Sequence, residues 1–157
     1  MRIAMGADHA GYSYKAQLAA ELQEQGHDVS DLGTYGPEPV DYPDFAVAVA
    51  EVVASGGAER GILVCGSAVG VSVTANKIPG VRAGVCHETY SAHQGVEHDD
   101  MNVLCMGERI IGIEVAREVV AAFVGARYSG EPRHARRLAK VLAIEARYLG
   151  SRGKDGE

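Results

Sequence analysis

The sequence predicts an α/β protein in which helices cover both faces of a five-stranded parallel sheet. Short apolar runs alternate with longer segments of helical periodicity, as expected for successive β-α units. Gly26 follows the first helical segment and the pair Gly56-Gly57 follows the second, at the positions where helices commonly end. A chain of 157 residues is expected to form one domain.

The first half of the chain reads β-α-β-α-β. The runs RIAMGAD (2–8), HDVSDLG (27–33) and RGILVCG (60–66) are typical of strands. Helices are predicted between them, over residues 12–25 and 44–55. This alternation indicates a parallel sheet that is buried on both faces.

The second half continues the same pattern. Its strands are VRAGVCH (81–87) and NVLCMG (102–107), and its helices are predicted over residues 70–77, 89–97 and 112–124. Because crossovers between parallel strands are right-handed, the expected architecture is a three-layer α/β/α sandwich.

An extra helix is predicted at the C-terminal end of the domain, over residues 132–149. Leu138, Val141, Leu142 and Ala146 recur in it at a helical period. No strand follows it, so we expect it to cross onto a partner subunit. The domain is therefore assigned to residues 1–149, and the polar segment 150–157 is expected to be a frayed tail.

Composition excludes several classes of function. The formal net charge is -6 and there is no long basic run, which argues against a nucleic-acid binder. No apolar window approaches the roughly 18 residues of a membrane span. The three cysteines lie in apolar runs and suit reduced thiols, hence a cytoplasmic location. The six histidines form no HxH or HxxxH pair, so no metal is expected.

Chemistry-bearing residues follow the first and third predicted strands. Asp8 and His9 follow the first strand, and the third ends on Cys65 before the loop GSAVG. Strands one and three are neighbours in doubly wound sheets, so these residues are expected to share one crevice. Cys65 alone fits an inert core thiol, but a thiol that faces the next helix start is favoured as thiolate. Cys86 and Cys105 are predicted to be core residues.

The loop from Gly66 to Gly70 is short of bulky side chains. Its backbone N–H groups could form a nest for an oxyanion or a phosphate, although a tight strand-to-helix turn would use similar residues. The loop lacks both the GK[ST] of a P-loop and the GxGxxG spacing of a dinucleotide site.

Three arginines and one histidine complete the candidate site. Arg133 and Arg137 are four residues apart on the last helix and share a face without a facing run of acids, and Arg109 follows the fifth strand. Such arginines bind phosphate or are simply solvated. His98 precedes the fifth strand, which places it at the edge of the sheet opposite Cys65. If His98 is catalytic beside Cys65, it must therefore come from another subunit. The alternative is a solvated histidine in an acidic turn.

Together these segments resemble the ribose/galactose isomerase family, in its ribose 5-phosphate isomerase B group. The resemblance is carried by GADHAG, DYPDFA, GILVCGSAVGVSVTANK, RAGVC, HDDMNVL and GERIIG, in order from residue 1 to about 148. It implies a Rossmann-like fold and an aldose-ketose isomerase of the pentose phosphate pathway that needs neither metal nor cofactor. It also implies a homodimer or homotetramer whose active sites are shared between subunits.

The resemblance assigns roles to individual residues. Cys65 becomes the base that moves a proton between C2 and C1 of the sugar, and His98 opens the sugar ring. Asp8 holds sugar hydroxyls and assists ring opening, and Ser67 is counted with the catalytic residues. The residues implied to bind substrate are Asp8, His9, Tyr42, Gly66, Ser67, Ala68, Val69, Gly70, Asp99, Arg109, Arg133 and Arg137.

Three positions distinguish this chain within the family pattern. One branch of the family uses a glutamate at the position of Val71, so the resemblance favours the cysteine branch. Ala68 stands where a glycine is usual, and its methyl is expected to restrict φ and narrow the nest. Asp99 stands where asparagine is common, and a carboxylate cannot donate a hydrogen bond.

The leading expectation is therefore interconversion of ribose 5-phosphate and ribulose 5-phosphate. Two alternatives stay open. The same chemistry could act on another sugar, such as allose 6-phosphate, galactose 6-phosphate or an unphosphorylated aldose. Alternatively, the scaffold could bind sugar phosphates without catalysis.

Overall fold

The computed structural model describes residues 1–148 and contains five parallel strands in one sheet. The strands are β1 (Arg2–Ala7), β2 (Asp28–Asp31), β3 (Arg60–Cys65), β4 (Ala83–Val85) and β5 (Val103–Gly107). Their order across the sheet is β2-β1-β3-β5-β4. Position 149 and the predicted tail 150–157 lie outside the described residues.

Six helices accompany the strands. They are α1 (Tyr12–Glu24), α2 (Tyr42–Ala54), α3 (Val69–Ala75), α4 (Thr89–Asp99), α5 (Ile113–Gly125) and α6 (Pro132–Tyr148). Every predicted element within residues 1–148 is present. The helix α2 begins two residues before its predicted start because Pro43 occupies its first turn, where a missing N–H costs nothing.

The sheet places β1 and β3 side by side at the point where the direction of the chain connections reverses. The pairing runs from Ile3 opposite Arg60 to Ala7 opposite Val64. From β1 the chain first proceeds outward to β2, and from β3 it proceeds to the other side of the sheet. A crevice therefore opens beyond the carboxyl ends of β1 and β3, where ligands bind in such sheets.

The core has two halves, one on each face of the sheet. Alternate strand residues divide between them: Ile3 and Met5 pack with α1 and α5, whereas Ala4 and Leu63 pack with α2. All six residues of β3 are buried. This arrangement confirms the predicted three-layer, Rossmann-like α/β/α fold.

The last helix, α6, leaves much of its apolar face exposed. It contacts α4 near its own N-terminal end, and its side chains Val141, Leu142, Ile144 and Tyr148 are exposed. A groove of about 510 Å³ between this helix and the β4 side of the sheet is lined by the same residues. Among residues 1–148, no helix combines the length and apolar character needed to cross a membrane.

Candidate active site

A cleft of about 360 Å³ lies at the carboxyl edge of the sheet, between β1 and β3. Its position follows from the strand order, because the loops after these two strands diverge there. The lining residues are Asp8, His9, Ala10, Tyr42, Cys65, Gly66, Ser67, Gly70, Arg109 and Ile110.

Cys65 is the last residue of β3, and its thiol points back toward the start of α3. Its side chain is buried, and Sγ accepts a hydrogen bond from the backbone N–H of Ala68 at 3.1 Å. A backbone donor in this position stabilises negative charge on sulfur. The geometry therefore suits a nucleophilic or basic thiolate that faces the cleft.

Asp8 and His9 are each held by a backbone donor. Asp8 is buried, and its Oδ1 accepts the N–H of Ala10 at 2.9 Å. Nδ1 of His9 accepts the N–H of Val40 at 3.2 Å, so the neutral ring carries its hydrogen on Nε2. The cleft thus contains one oriented carboxylate and one oriented imidazole.

Arg109 is fixed to the loop that follows Cys65. Its backbone N–H donates to the carbonyl of Gly66 at 3.1 Å, and the N–H of Glu108 donates to the carbonyl of Cys65 at 2.9 Å. The side chain of Arg109 lies over Gly66, where an added Cβ would come within 3.4 Å of Cδ. A guanidinium group is therefore positioned over the loop that follows Cys65, in the same cleft, where it could bind an anion.

Tyr42 and Gly70 meet at the other side of the cleft. A Cβ built on Gly70 would lie 2.8 Å from the Tyr42 ring, closer than a side chain can approach. The DYP and GSAVG segments are therefore in direct contact, and a side chain at position 70 would have to displace the Tyr42 ring.

The expected effect of Ala68 on the loop is wrong in part. Its backbone adopts φ 72° and ψ -16°, the left-handed conformation that favours glycine, so the methyl does not keep φ negative. The residue is fully buried with the α2 and α3 core, so the methyl is not part of the cleft lining. Val69, in contrast, is exposed, but it does not line the cleft either.

The remaining predicted residues form a second group at the amino edge of the sheet. His98 and Asp99 end α4, which leads into the amino end of β5, and the start of α6 is joined there by a hydrogen bond from Ser129 N–H to the Glu97 carbonyl. Arg133 and Arg137 lie on that first part of α6. The predicted site residues are thus divided between two edges, and the described chain does not join them.

Arg133 has one acidic partner, although no run of acids faces it. Its Nε donates to Oε2 of Glu131 at 2.9 Å, and both side chains are more than half exposed. An exposed pair of this kind is weak, so a ligand phosphate can replace Glu131 at low cost.

Sequence reasoning missed four residues that shape the two groups. Ile110 lines the cleft, and His87 Nε2 accepts the Gly107 N–H at 2.9 Å, next to the loop that positions Arg109. His134 is buried and stacks on His98, with ring centroids 3.9 Å apart. Gln94 bonds to His98 within α4. Only His134 had a signal in the sequence that could have revealed it, because it is a histidine on the buried face of a polar helix.

The other two thiols are buried away from the cleft. Burial raises the pKa of Cys86 to about 11, and burial also raises the pKa of Cys105. Both are free thiols, and Cys86 lies one residue beyond the end of β4 rather than inside the strand. Within residues 1–148, no three His, Cys, Asp or Glu side chains are grouped so that they could hold a metal ion.

Comparisons with known proteins give a consistent result. The chain matches the Ribose/Galactose Isomerase family over residues 3–141. Ribose-5-phosphate isomerase B of Escherichia coli is 47% identical over 146 residues, covering 93% of this chain and 97% of that protein. D-erythrulose-4-phosphate isomerase 2 of Mycolicibacterium smegmatis is 38% identical over 148 residues, covering 92% and 97%.

A solved structure extends the similarity to the fold. Ribose-5-phosphate isomerase B of Clostridium thermocellum matches with a TM-score of 0.92 and 46% identity, covering 94% of this chain and 99% of that one. Sequence and structure therefore agree over nearly the whole length of both proteins. This chain belongs to the Ribose/Galactose Isomerase family and is an isomerase.

Proposed function

We propose that this protein is an aldose-ketose isomerase of sugar phosphates that interconverts D-ribose 5-phosphate and D-ribulose 5-phosphate. The observation that carries the proposal is the oriented thiol of Cys65, whose Sγ lies 3.1 Å from the Ala68 N–H in the same cleft as Asp8 and Arg109. A base, an oriented carboxylate and a cation are what an enediolate mechanism needs.

In this mechanism Cys65 acts as the base. The thiolate takes the proton from C2, the C–H electron pair forms the C1=C2 bond, and O1 becomes an oxyanion. A proton then passes from O2 to O1 and the thiol returns its proton to C1, which leaves the ketone at C2. The loop N–H groups from Gly66 to Gly70 stabilise the cis-enediolate.

Ring opening is assigned to His98 of a second subunit. Within one chain His98 lies at the amino edge, whereas Cys65 lies at the carboxyl edge. An assembly that brings the two together also has a surface available, because α6 exposes Val141, Leu142 and Ile144 beside an apolar groove. We therefore propose a homodimer or homotetramer with shared sites.

Binding of the phosphate is assigned to basic groups from both edges. Arg109 and His9 belong to the cleft, and Arg133 and Arg137 arrive on α6 of the other subunit. Guanidinium groups fork onto phosphate oxygens, which compensates for the overall negative charge of the chain. Three free buried thiols also favour a cytoplasmic location.

A second candidate keeps the chemistry and changes the sugar. Asp99 favours it, because the carboxylate is exposed near the proposed phosphate ligands and adds negative charge there. The relative from Mycolicibacterium smegmatis also carries the name of a different sugar phosphate. A comparison of kcat/KM for ribose, allose, galactose and erythrose phosphates and for free sugars separates the two candidates.

The direct test is isomerisation of ribose 5-phosphate by the chelator-treated protein. Cys65→Ala is expected to remove nearly all turnover, whereas the matched variant Cys86→Ala retains it. Full turnover by Cys65→Ala would exclude this residue as the base. Tight binding without exchange of the C2 proton into solvent would instead support a binding protein.

Subunit mixing tests the shared site. Cys65→Ala and His98→Ala proteins are each expected to be inactive, and exchange of their subunits restores part of the activity because some sites then contain both residues. No recovery after proven subunit exchange would contradict the arrangement.

A further inference from the structure

The imidazole of His98 is held on two sides before any substrate arrives. Nε2 of Gln94 lies 2.7 Å from Nδ1 of His98, and the ring of His134 stacks on the His98 ring at 3.9 Å with an angle of 28°. Neither contact depends on the cleft, which lies at the other edge of the sheet.

The contact with Gln94 engages one ring nitrogen of His98. The amide can donate its NH2 hydrogen to Nδ1 of the neutral ring or, after rotation, accept from Nδ1–H through its carbonyl, so Nδ1 has a partner in either state. The two residues are four apart inside α4, so the backbone of the helix fixes their spacing. Nε2 is left as the nitrogen that can meet a group from outside the chain.

The contact with His134 fixes the plane of the ring. His134 is only 2% exposed, and its Nδ1 is hydrogen-bonded to Oγ of Ser129 at 2.8 Å. Burial and the neighbouring His98 both lower the pKa of His134, so the lower ring of the stack remains uncharged near neutral pH. His98 therefore rests on a rigid neutral surface rather than against a second cation.

We propose that Gln94 is a positioning residue that holds Nδ1 of His98 and aims Nε2 at the ring oxygen of the substrate. The proposal rests on the proposed function, in which His98 opens the sugar ring in the partner's cleft. Gln94 does not touch the substrate and acts through His98.

An amide can hydrogen-bond to Nδ1 of His98 in both protonation states of the ring. Its NH2 group donates to Nδ1 of the neutral ring, and after rotation its carbonyl accepts from the Nδ1–H of the imidazolium. In ring opening, the imidazolium gives its Nε2 proton to the ring oxygen as the bond from C1 to that oxygen breaks. The electron pair stays on the oxygen, and the C1 hydroxyl loses its proton to the Asp8 carboxylate as the aldehyde forms.

The contact can be measured without any substrate. At acidic pH, where the imidazolium carries a hydrogen on both nitrogens, ¹H–¹⁵N spectra of the intact protein are expected to show a slowly exchanging Nδ1–H of His98, and the Gln94→Met variant is expected to lose this signal. Gln17→Met is the matched control, since Gln17 also bonds within its helix, to the Ser13 carbonyl four residues earlier. A wild-type protein without a protected Nδ1–H on His98, or an unchanged signal in Gln94→Met, would overturn the proposal.

Activity on two substrates gives the second readout. Loss of one hydrogen bond to His98 is expected to lower kcat/KM for ribose 5-phosphate about tenfold in Gln94→Met. Erythrose 4-phosphate has its C4 oxygen phosphorylated and cannot close a furanose ring, so its turnover should stay within about twofold of wild type. Equal losses on both substrates would contradict a role in ring opening.

The two readouts separate the two proposals. A wild-type protein that does not isomerise ribose 5-phosphate refutes the proposed function, and the spectra then still decide whether Gln94 holds Nδ1 of His98. A wild-type enzyme that is active but shows no protected Nδ1–H on His98 refutes the role of Gln94 alone.

Discussion

Ala68 combines an unfavourable backbone conformation with a fully buried methyl group. The left-handed conformation costs a residue with a side chain roughly 1–2 kcal/mol, and burial of one methyl stabilises by about 0.8 kcal/mol. These two effects nearly cancel at this position. An alanine is therefore tolerated at this left-handed position.

This balance gives a prediction for Ala68→Gly. The free energy of unfolding is expected to change by less than about 1 kcal/mol, because relief of strain offsets the lost methyl. Ala75→Gly is the control, since this alanine is also fully buried in α3 but has helical geometry, and it is expected to lose at least about 1 kcal/mol more. Urea unfolding measures both, and equal losses would contradict the strain at position 68.

The three thiols should differ in reactivity. At about pH 8 a thiol with a pKa near 11 is roughly one part in a thousand thiolate, so Cys86 is expected to alkylate very slowly, and Cys105 more slowly still. Cys65 borders the cleft and should react first with iodoacetamide. Peptide mass spectrometry over time gives the order, and early modification of Cys105 would contradict it.

At the scale of elements, the contact between α4 and α6 depends on an uncharged His134. Because its folded-state pKa lies below 6.5, the unfolded chain takes up this proton first on acidification. Titration of His134 does not change the free energy of unfolding above about pH 6.5. It lowers this free energy as the pH falls from there toward the folded-state pKa.

The corresponding prediction concerns His134→Asn. Between about pH 8 and pH 5.5 the free energy of unfolding should fall less in this variant than in wild type, because the protonation that favours the unfolded chain is gone. Gln17→Asn, at an exposed residue that does not titrate in this range, is the control and should keep the wild-type slope. An unchanged slope in His134→Asn would contradict the assignment.

Sequence periodicity predicted the helices and strands but not the charged side chains that are buried between them. It predicted every strand and helix of residues 1–148, because apolar runs and the glycines that end helices are local signals. It gave no sign that Lys15 is buried in α1 beside Asp31, or that buried Arg60 donates to the Met101 and Ala126 carbonyls. Those partners come from distant segments, which periodicity does not pair.

In the candidate site, too, the sequence predicted the residues that follow strands but not the contacts made by distant side chains. Asp8, Cys65 and Arg109 share one cleft, as expected from the rule that ligands bind beyond the carboxyl ends of parallel strands. Gln94 and His134 act on His98 through contacts that depend on side-chain orientation and on where α6 packs. Neither depends on a motif, so the sequence alone had no means of selecting them.

At the scale of the whole molecule, the described chain places its candidate site residues at two opposite edges of the sheet. The exposed apolar face of α6 is the surface by which we expect copies of the chain to associate. Ile144→Glu places a charge on this face and should reduce the assembly to monomers that lack turnover, because burial of an unpaired carboxylate is costly. Light scattering and ribose 5-phosphate assays check both effects.

A matched variant keeps this prediction specific. Val115→Glu also adds a carboxylate at an exposed apolar position, on α5, and should preserve both mass and turnover. Monomers of Ile144→Glu that remained fully active would show that one chain is sufficient for catalysis.

Gly66 and Gly70 leave the floor of the cleft as bare backbone, with Arg109 over one and the Tyr42 ring over the other. A side chain at position 70 would have to displace the Tyr42 ring, so a change in that part of the floor requires a change in the wall beside it. The room for a longer or shorter sugar can be adjusted directly from the walls, at Tyr42 and Ile110. Selection for a new substrate should therefore begin with changes in the DYP segment and after β5.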